Sequence, residues 1–277
     1  MSLSDLSKQL DARKQTSTKE QPYAMGRQTV RKARTDLTSK DFEASIKLKT
    51  MPALKWLEVQ FPKVFIEEIN QYIDDVVIPN NKDYSNKLVG QLSSDKSAQL
   101  DFPLKGHETG EQFKKVLENI GKSFIQKPYN RMSSVECFEC WTVHSYEGDY
   151  NPLHDHGVQT QSGLSCILYL KVPDSIKNKP QIEIPKLNHA SGEIDGWTQF
   201  TWGSNTLKDI YQLREQTQHV VRPVEGKLLM FPNWLSHMVW PFRGEGERRT
   251  LSANFNIHDS LEVKQQFGAV PVPNKKR

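Results

Sequence analysis

The second half of the chain is a series of short β-rich segments, and this series limits the fold more than any other feature. From residue 134 onward, apolar segments rich in β-branched residues alternate with Gly, Pro and Asn turns. Many short strands joined by such turns are typical of an antiparallel sandwich or barrel. A first strand is predicted from about Val135, and the later ones are Leu164–Val172, Gln181–Ile184, His219–Arg222, Lys227–Phe231, Met238–Phe242 and Thr250–Ile257.

Two helices are predicted before these strands. Apolar residues recur at helical spacing over Pro62–Val77 and again over Glu111–Lys127. Pro62 suits the first turn of the first helix, and Pro79 marks its end. Helices that pack on a β-core indicate an α+β fold with a jelly-roll centre.

Composition divides the chain into three regions. Residues 1–45 are polar and basic: nine Lys/Arg and four Asp/Glu fall within 1–40, although the whole chain carries only +4. Such a segment buries too little apolar surface to order itself. We expect a flexible basic arm there, either a solubilising tail or a docking segment for an anionic partner. Residues 46–130 are predicted to form a helical packing region and residues 131–277 the β-core.

The chain lacks the sequence signals of membrane insertion and export. No apolar run reaches the ~18 residues that a membrane span needs, and the N-terminal residues contain no apolar stretch of a secretory signal. The three cysteines, an odd number, argue against a disulfide framework. We therefore expect a cytoplasmic protein with no membrane partner.

Three histidines are candidate metal ligands. His154 and His156 follow an Asn151-Pro152 turn, and in an extended segment their side chains share one face while Asp155 points to the other. His237 comes 81 positions after His156, at a predicted strand start. Imidazole binds iron, copper, nickel and zinc well, so the three histidines suit a metal centre.

The last strand of the core has one polar face. Arg248, Thr250, Ser252 and Asn254 alternate with Arg249, Leu251, Ala253 and Phe255. A guanidinium binds a carboxylate through a two-pronged hydrogen bond, and neighbouring hydroxyls add further donors. Arg248 is therefore predicted to bind a carboxylate, with Arg249 as the alternative.

These segments resemble the 2-oxoglutarate/Fe(II)-dependent dioxygenase superfamily. The resemblance lies in the N-P-x-H-x-H turn at 151–156, the F-P-x-W-L-x-H-x-V-x-P block at 231–241 and the R-x-T-x-S-x-N strand at 248–254. The resemblance covers about residues 137–257, and the chain is most similar there to an oxygenase group of bacteria and bacteriophages. Over Ser165–Leu170 the chain also resembles prolyl hydroxylases. The resemblance implies a double-stranded β-helix and, for a viral source, the host cytoplasm as the location.

The resemblance also implies cofactors, site residues and a reaction. The cofactors would be Fe(II) and 2-oxoglutarate, and O2 would oxidise a substrate, a protein or peptide side chain or a small molecule, with release of succinate and CO2. Apart from the metal ligands, no separate catalytic residue is predicted. The implied sets are His154, His156 and His237 for the metal; Arg248, Tyr169, Thr250 and Ser252 for 2-oxoglutarate; and Tyr146, Asn151, Asn254 and Trp234 for the pocket.

One departure from the superfamily leaves alternatives open. The second ligand there is usually a carboxylate, in H-x-D or H-x-E, whereas position 156 is histidine. Asp155 is therefore an alternative ligand to His156, or it orients a ligand imidazole from behind. Two other functions also remain: an inactive jelly-roll binding or structural protein with a basic docking arm, and a cupin-like three-histidine metal enzyme that needs no keto acid.

Overall fold

A computed structural model describes residues 33–35, 42–44, 54–92, 98–157, 162–178, 193–204, 213–266 and 268. The chain forms two units, Met1–Ala53 and Leu54–Arg277. In the first, strands β1 (Ala33–Thr35) and β2 (Phe42–Ala44) pair antiparallel. The rest of the predicted arm lies outside the described residues, as does the strand predicted at Gln181–Ile184.

The second unit contains helices and two antiparallel sheets. Its helices are α1 (Lys63–Tyr72), which continues through a π-helical turn (Ile73–Val77) into α2 (Ile78–Asn80), then a 3-10 turn (Ser85–Lys87), α3 (Glu108–Tyr129), α4 (Asp174–Lys177) and α5 (Leu261–Gln266). The two helices predicted from periodicity correspond to α1 with its π-helical turn and to α3. None of the helices in the described ranges is long and apolar enough to cross a membrane.

Within the described residues, ten strands build the two sheets. They are β3 (Leu57–Gln60), β4 (Gln99–Asp101), β5 (Ser134–Ser145), β6 (Asn151–His154), β7 (Gly163–Lys171), β8 (Thr198–Thr201), β9 (Gln218–Val221), β10 (Lys227–Pro232), β11 (Ser236–Val239) and β12 (Arg248–His258). The main sheet has the order β3-β10-β7-β12-β5-β4, and the second has the order β6-β11-β8-β9. From β5 to β12 the chain passes back and forth between the sheets, which is the winding of a double-stranded β-helix.

The main sheet has apolar side chains on both faces. On β7, Cys166 and Leu168 belong to the cluster that packs with the helices, whereas Ile167 and Tyr169 belong to a second cluster with residues of the other sheet. A strand that is buried on both faces reads as a continuous apolar run. This explains why the sequence of β7 shows no alternation, although its two faces have different neighbours.

A β-bulge sets the direction of the side chains of β5. Asn254 pairs with Glu139 but the next residue of β12, Phe255, pairs with Cys137, so Phe138 is the extra residue. A bulge adds one residue to one strand, so the side chains after it point to the opposite face from the one that simple alternation predicts. As a result Cys137 and Cys140 both join the helix-side core, while Glu139 and Trp141 line a cavity between the sheets.

Candidate metal and keto-acid site

Three imidazoles meet beside strands β6 and β11 of the second sheet. His154 ends β6 and pairs with His237 of β11, and the backbone N–H of His156 donates to Asn233 O at 2.9 Å. Their ring centroids lie 4.4–5.3 Å apart. The candidate ligand atoms all lie within 4.8 Å of one another. The structure thus brings together residues 154, 156 and 237, which we call the three-histidine group.

Each of these rings has an oxygen beside its Nδ1. The acceptors are Pro152 O at 2.7 Å for His154, Asn254 Oδ1 at 3.0 Å for His156 and Leu235 O at 3.1 Å for His237. A carbonyl or amide oxygen only accepts, so each Nδ1 carries the proton and each Nε2 keeps its lone pair. Metal-binding histidines usually donate their other N–H in this way.

Burial keeps the three rings neutral. Desolvation lowers the pKa of all three, to about 4 for His156 and well below the ordinary value for His237, and the neighbouring histidines lower the pKa of both residues further. Hydrogen bonds from the rings to oxygen oppose this only in part. A neutral imidazole is the form that binds a metal, so the group is ready to bind near neutral pH.

Asp155 lies outside this group. Its side chain is exposed, and its Oδ1 accepts a hydrogen bond from Gly157 N at 2.9 Å. Asp155 also lines the cavity, but its carboxylate is not among the ligand atoms that lie within 4.8 Å of one another. The geometry therefore favours a donor set with His156 over the alternative set with Asp155.

Arg248 lies in the interior of the β-helix and lines the same cavity as the three-histidine group. It is only 2% exposed. Its Nε donates to Gly196 O at 3.1 Å and its Nη2 lies 3.4 Å from Thr198 Oγ1. None of the ion pairs among the described residues involves Arg248. Because a buried charge is costly without a partner, this position suits a bound anion.

Tyr169 and Thr198 hold the guanidinium from behind. The Tyr169 ring centroid lies 5.4 Å from Cζ of Arg248, and the Tyr169 hydroxyl donates to Thr198 Oγ1 at 2.8 Å. Tyr169 itself does not line the cavity, so it would act on a bound carboxylate through Arg248. Thr250 and Ser252, which were predicted beside Arg248, do line the cavity.

Arg249, the alternative carboxylate receptor, points to the other side of the main sheet. Its guanidinium pairs with Glu247 at 2.8 Å and with Asp74 at 2.7 Å, and it donates to Asn70 Oδ1 at 3.1 Å. These contacts join β12 to α1 and the π-helical turn. With its charge already compensated there, Arg249 is a structural residue and not a receptor in the cavity.

The predicted pocket residues divide into three cases. Asn151 lines the cavity, and its buried Oδ1 has no hydrogen-bond partner. Asn254 does not line it but bonds to His156. Tyr146 and Trp234 do not line it either, and Trp234 is 55% exposed. Both lie in turns outside the strands that enclose the cavity, so their role in the pocket stays a prediction.

Tyr84 and Glu139, which form one wall of the cavity together with Trp141, were not predicted from the sequence. Tyr84 stacks on Trp141 with centroids 5.3 Å apart, and Trp141 stacks on His156 at 5.8 Å. Glu139 lies beside them and accepts a hydrogen bond from the Tyr84 hydroxyl. The bulge at Phe138 breaks the alternation that would reveal the direction of Glu139, and Tyr84 lies in an irregular segment without periodicity.

Comparison with protein families agrees with the motifs. Residues 139–254 match the family described as "Putative 2OG-Fe(II) oxygenase". The matched segment contains the three-histidine group and Arg248, so the resemblance to the 2-oxoglutarate/Fe(II) oxygenase superfamily is confirmed. Fe(II) and 2-oxoglutarate are the cofactors that this match implies. No curated protein matches the chain.

Several solved structures are similar to the chain at low identity. Prolyl-4-hydroxylase from Pseudomonas putida is 13% identical, with a TM-score of 0.47 over 75% of this chain and 94% of that one. HygX from Streptomyces hygroscopicus with iron bound is 11% identical, with a TM-score of 0.46 over 75% and 83%. The viral collagen prolyl hydroxylase from Paramecium Bursaria Chlorella virus-1 is 14% identical, with a TM-score of 0.41 over 72% and 94%. None of these similarities decides the substrate of this chain.

Proposed function

We propose that this chain is an Fe(II)- and 2-oxoglutarate-dependent oxygenase that hydroxylates a protein or peptide side chain or a small molecule, with release of succinate and CO2. The observation that carries the proposal is the pairing, in one cavity, of three neutral imidazoles with a buried guanidinium that has no acid partner among the described residues. The family match over the same residues supports it.

The residues present fit a divalent iron centre. His154, His156 and His237 would hold the metal through Nε2, since each Nδ1 is occupied by an oxygen acceptor. Three protein ligands leave coordination positions for a keto acid and for O2. The unpartnered Oδ1 of Asn151 in the cavity wall also fits a site that receives polar ligands. Bound iron would supply the oxygen activation that side chains lack.

The protein would bind and orient the co-substrate. Arg248 would pair with the far carboxylate of 2-oxoglutarate through two hydrogen bonds, and the hydroxyls of Thr250 and Ser252 line the same wall. Tyr169 and Thr198 limit the rotation of the guanidinium from behind. These charge-assisted bonds would fix the position of the keto acid, so that its keto end is directed to the three-histidine group.

Two features of the cavity, the buried arginine and the three histidines, separate this proposal from the two other functions considered. A cupin-like metal enzyme without a keto acid has no need for an unpaired guanidinium beside its metal. An inactive jelly-roll binding protein would have no need for three neighbouring imidazoles that all carry their proton on Nδ1. The cytoplasmic location and the anionic partner of the arm remain sequence-based predictions.

The proposal is tested by anaerobic titration of the Fe(II)-loaded protein with 2-oxoglutarate. Chelation of the iron by the keto acid should produce a visible charge-transfer band that saturates, and admission of O2 should yield succinate. A protein that binds iron without this band would be a metal enzyme that uses no keto acid. A protein that binds neither would be a binding protein on the same fold.

A further inference from the structure

Behind the three-histidine group, a carboxylate reaches one of the ligands through an amide. We propose that Glu139 is a positioning residue: through Asn254 it fixes the proton of His156 on Nδ1 and gives the metal site the negative charge that three imidazoles lack. This inference rests on the proposed function, since it assumes that His156 binds the metal.

The relay consists of consecutive short hydrogen bonds. His156 Nδ1 donates to Asn254 Oδ1 at 3.0 Å, and Asn254 Nδ2 donates to Glu139 Oε1 at 2.6 Å. Ser165 Oγ adds a second bond to Asn254 Oδ1 at 2.7 Å. The Tyr84 hydroxyl donates to the other oxygen of Glu139. Asn254 is only 2% exposed, so water competes little for its amide.

Glu139 decides which way the Asn254 amide faces. An ionised carboxylate only accepts hydrogen bonds, so the amide must present its NH2 group to Glu139 and its oxygen to His156. The opposite orientation would set two acceptors against each other in a buried place, at the cost of an unpaired polar contact. With an oxygen beside Nδ1, the His156 ring carries its proton there and leaves Nε2 free for the metal.

His156 is the only member of the three-histidine group with a carboxylate in this position. The Nδ1 atoms of His154 and His237 donate to the uncharged backbone carbonyls of Pro152 and Leu235. Three neutral imidazoles bring no negative charge to a divalent ion. A carboxylate behind a ligand ring raises the basicity of that ring and fixes its orientation. Glu139 therefore supplies from behind the charge that a carboxylate ligand would supply directly.

The fold gives Glu139 this place through the bulge at Phe138, which turns residue 139 toward the cavity opposite Asn254. Trp141, the next residue on that face, stacks on His156 with an interplanar angle of 16°. The ring of His156 is thus restrained both at its face and at Nδ1. Glu136, on the same strand before the bulge, is exposed and pairs with His258 instead, so it offers a matched control.

The experiment compares Co(II) binding in the absence of keto acid for wild type, Glu139→Gln and Glu136→Gln. Glutamine preserves the size of the side chain but removes the charge, and its own amide can face Asn254 with either end. We expect Glu139→Gln to weaken Co(II) binding by about 10–100-fold and Glu136→Gln to leave it unchanged. Equal affinity of Glu139→Gln and wild type would overturn the relay while the metal site stands. Failure of wild type to bind Co(II) would overturn the site itself.

Two further measurements separate the relay from a general loss of structure. In the metal-free protein, ¹⁵N NMR of the imidazole should show the proton of His156 on Nδ1, and a proton on Nε2 in wild type would overturn the inference without any variant. Glu139→Gln should shift this tautomer population. In an Asn254→Ala background, Glu139→Gln should cause little additional loss of Co(II) affinity. The reason is that the effects of two substitutions are not additive when both residues act through the same chain of contacts. Full additivity would contradict the relay.

Discussion

His237 is the most buried of the three candidate ligands, and burial together with the neighbouring histidines lowers the pKa of its imidazole. We expect His237→Ala to abolish stoichiometric metal binding and, with it, the turnover of 2-oxoglutarate to succinate, because two imidazoles cannot complete the donor set. Metal analysis of the purified protein and a succinate assay check this result. His258→Ala is the control, since this histidine is exposed and pairs with Glu136. Normal iron content in His237→Ala would refute the ligand assignment.

Adjacent arginines on β12 should behave in opposite ways. Arg248→Met should keep the metal but weaken 2-oxoglutarate binding at least about 30-fold, because it removes the buried partner of a carboxylate. Arg249→Met should leave 2-oxoglutarate affinity near that of wild type. It should lower the free energy of unfolding by about 2–3 kcal/mol, since Glu247 and Asp74 lose their guanidinium partner.

Titration of the charge-transfer band and urea denaturation separate the two effects. Each arginine serves as the control for the other, because both are nearly fully buried and adjacent in sequence. A loss of keto-acid affinity in Arg249→Met without a loss of stability would show that the two roles have been exchanged.

At the scale of single elements, β12 and β5 differ in how well the sequence reveals them. Strict alternation on β12 predicts from sequence that Arg248, Thr250 and Ser252 share the cavity side, and they do. On β5 the bulge at Phe138 breaks the alternation. A bulge depends on pairing with a neighbouring strand, which no local pattern records. The candidate ligands His154 and His156 and the arginine could therefore be predicted from local patterns, whereas the direction of Glu139 could not.

The segment of residues 84–92, which we call the cover segment, has no regular pattern and was likewise not predicted to line the site. Leu88, Val89 and Leu92 line the cavity from it. Gln91 exchanges two backbone hydrogen bonds of 3.1 Å with Tyr150. These bonds attach the cover segment beside Asn151, at the start of β6, which ends in His154.

Gly90 allows this close attachment. A Cβ at position 90 would lie 2.2 Å from Tyr150 O and 2.8 Å from Asn151 Cα. We expect Gly90→Ala to push the cover segment away, at a cost of about 1–3 kcal/mol in the free energy of unfolding. Amide hydrogen exchange at Gln91 and Tyr150 should become faster, because their mutual bonds are lost first.

Gly106→Ala controls for the general effect of a methyl group on a glycine. The φ of Gly106 is +83°, and nothing lies within 4 Å of a Cβ added there. The substitution therefore costs about 1 kcal/mol in backbone strain, but it cannot displace the cover segment. Exchange at Gln91 that is unchanged in Gly90→Ala, or accelerated equally in both variants, would contradict this role of Gly90.

On the scale of the whole second unit, the main sheet separates the helix-side core from the cavity, and polar contacts near the start of β12 join the sheet to the helices. Strands β3 and β4, from the region predicted as helical packing, form the two edges of that sheet. Near the start of β12, Glu247 contacts Arg249, Lys171 and His144. Arg249 extends this cluster to Asp74 in the π-helical turn. The helices are thus attached to the strand that carries Arg248.

This cluster should make the stability of the protein depend on acid pH. Burial alone would raise the pKa of Glu247, but hydrogen bonds from His144 and Arg249, together with their charge, outweigh it and lower the pKa to about 2. A carboxyl with a lowered pKa in the folded state stabilises the fold above its unfolded pKa of 4.5. That contribution, at most about 3 kcal/mol, is lost as the pH falls from 4.5 toward 2.

Denaturation curves of wild type and Glu247→Gln at several pH values measure this contribution. Wild type should be more stable than the variant at pH 7, and the difference should shrink steadily below pH 4.5, because protonated Glu247 resembles glutamine in charge. Glu245→Gln is the control, since no ion pair among the described residues involves this neighbouring acid, and its difference from wild type should stay small throughout. A gap between wild type and Glu247→Gln that is the same at pH 7 and pH 3 would mean that the cluster stabilises through packing alone, and not through the ionised carboxylate.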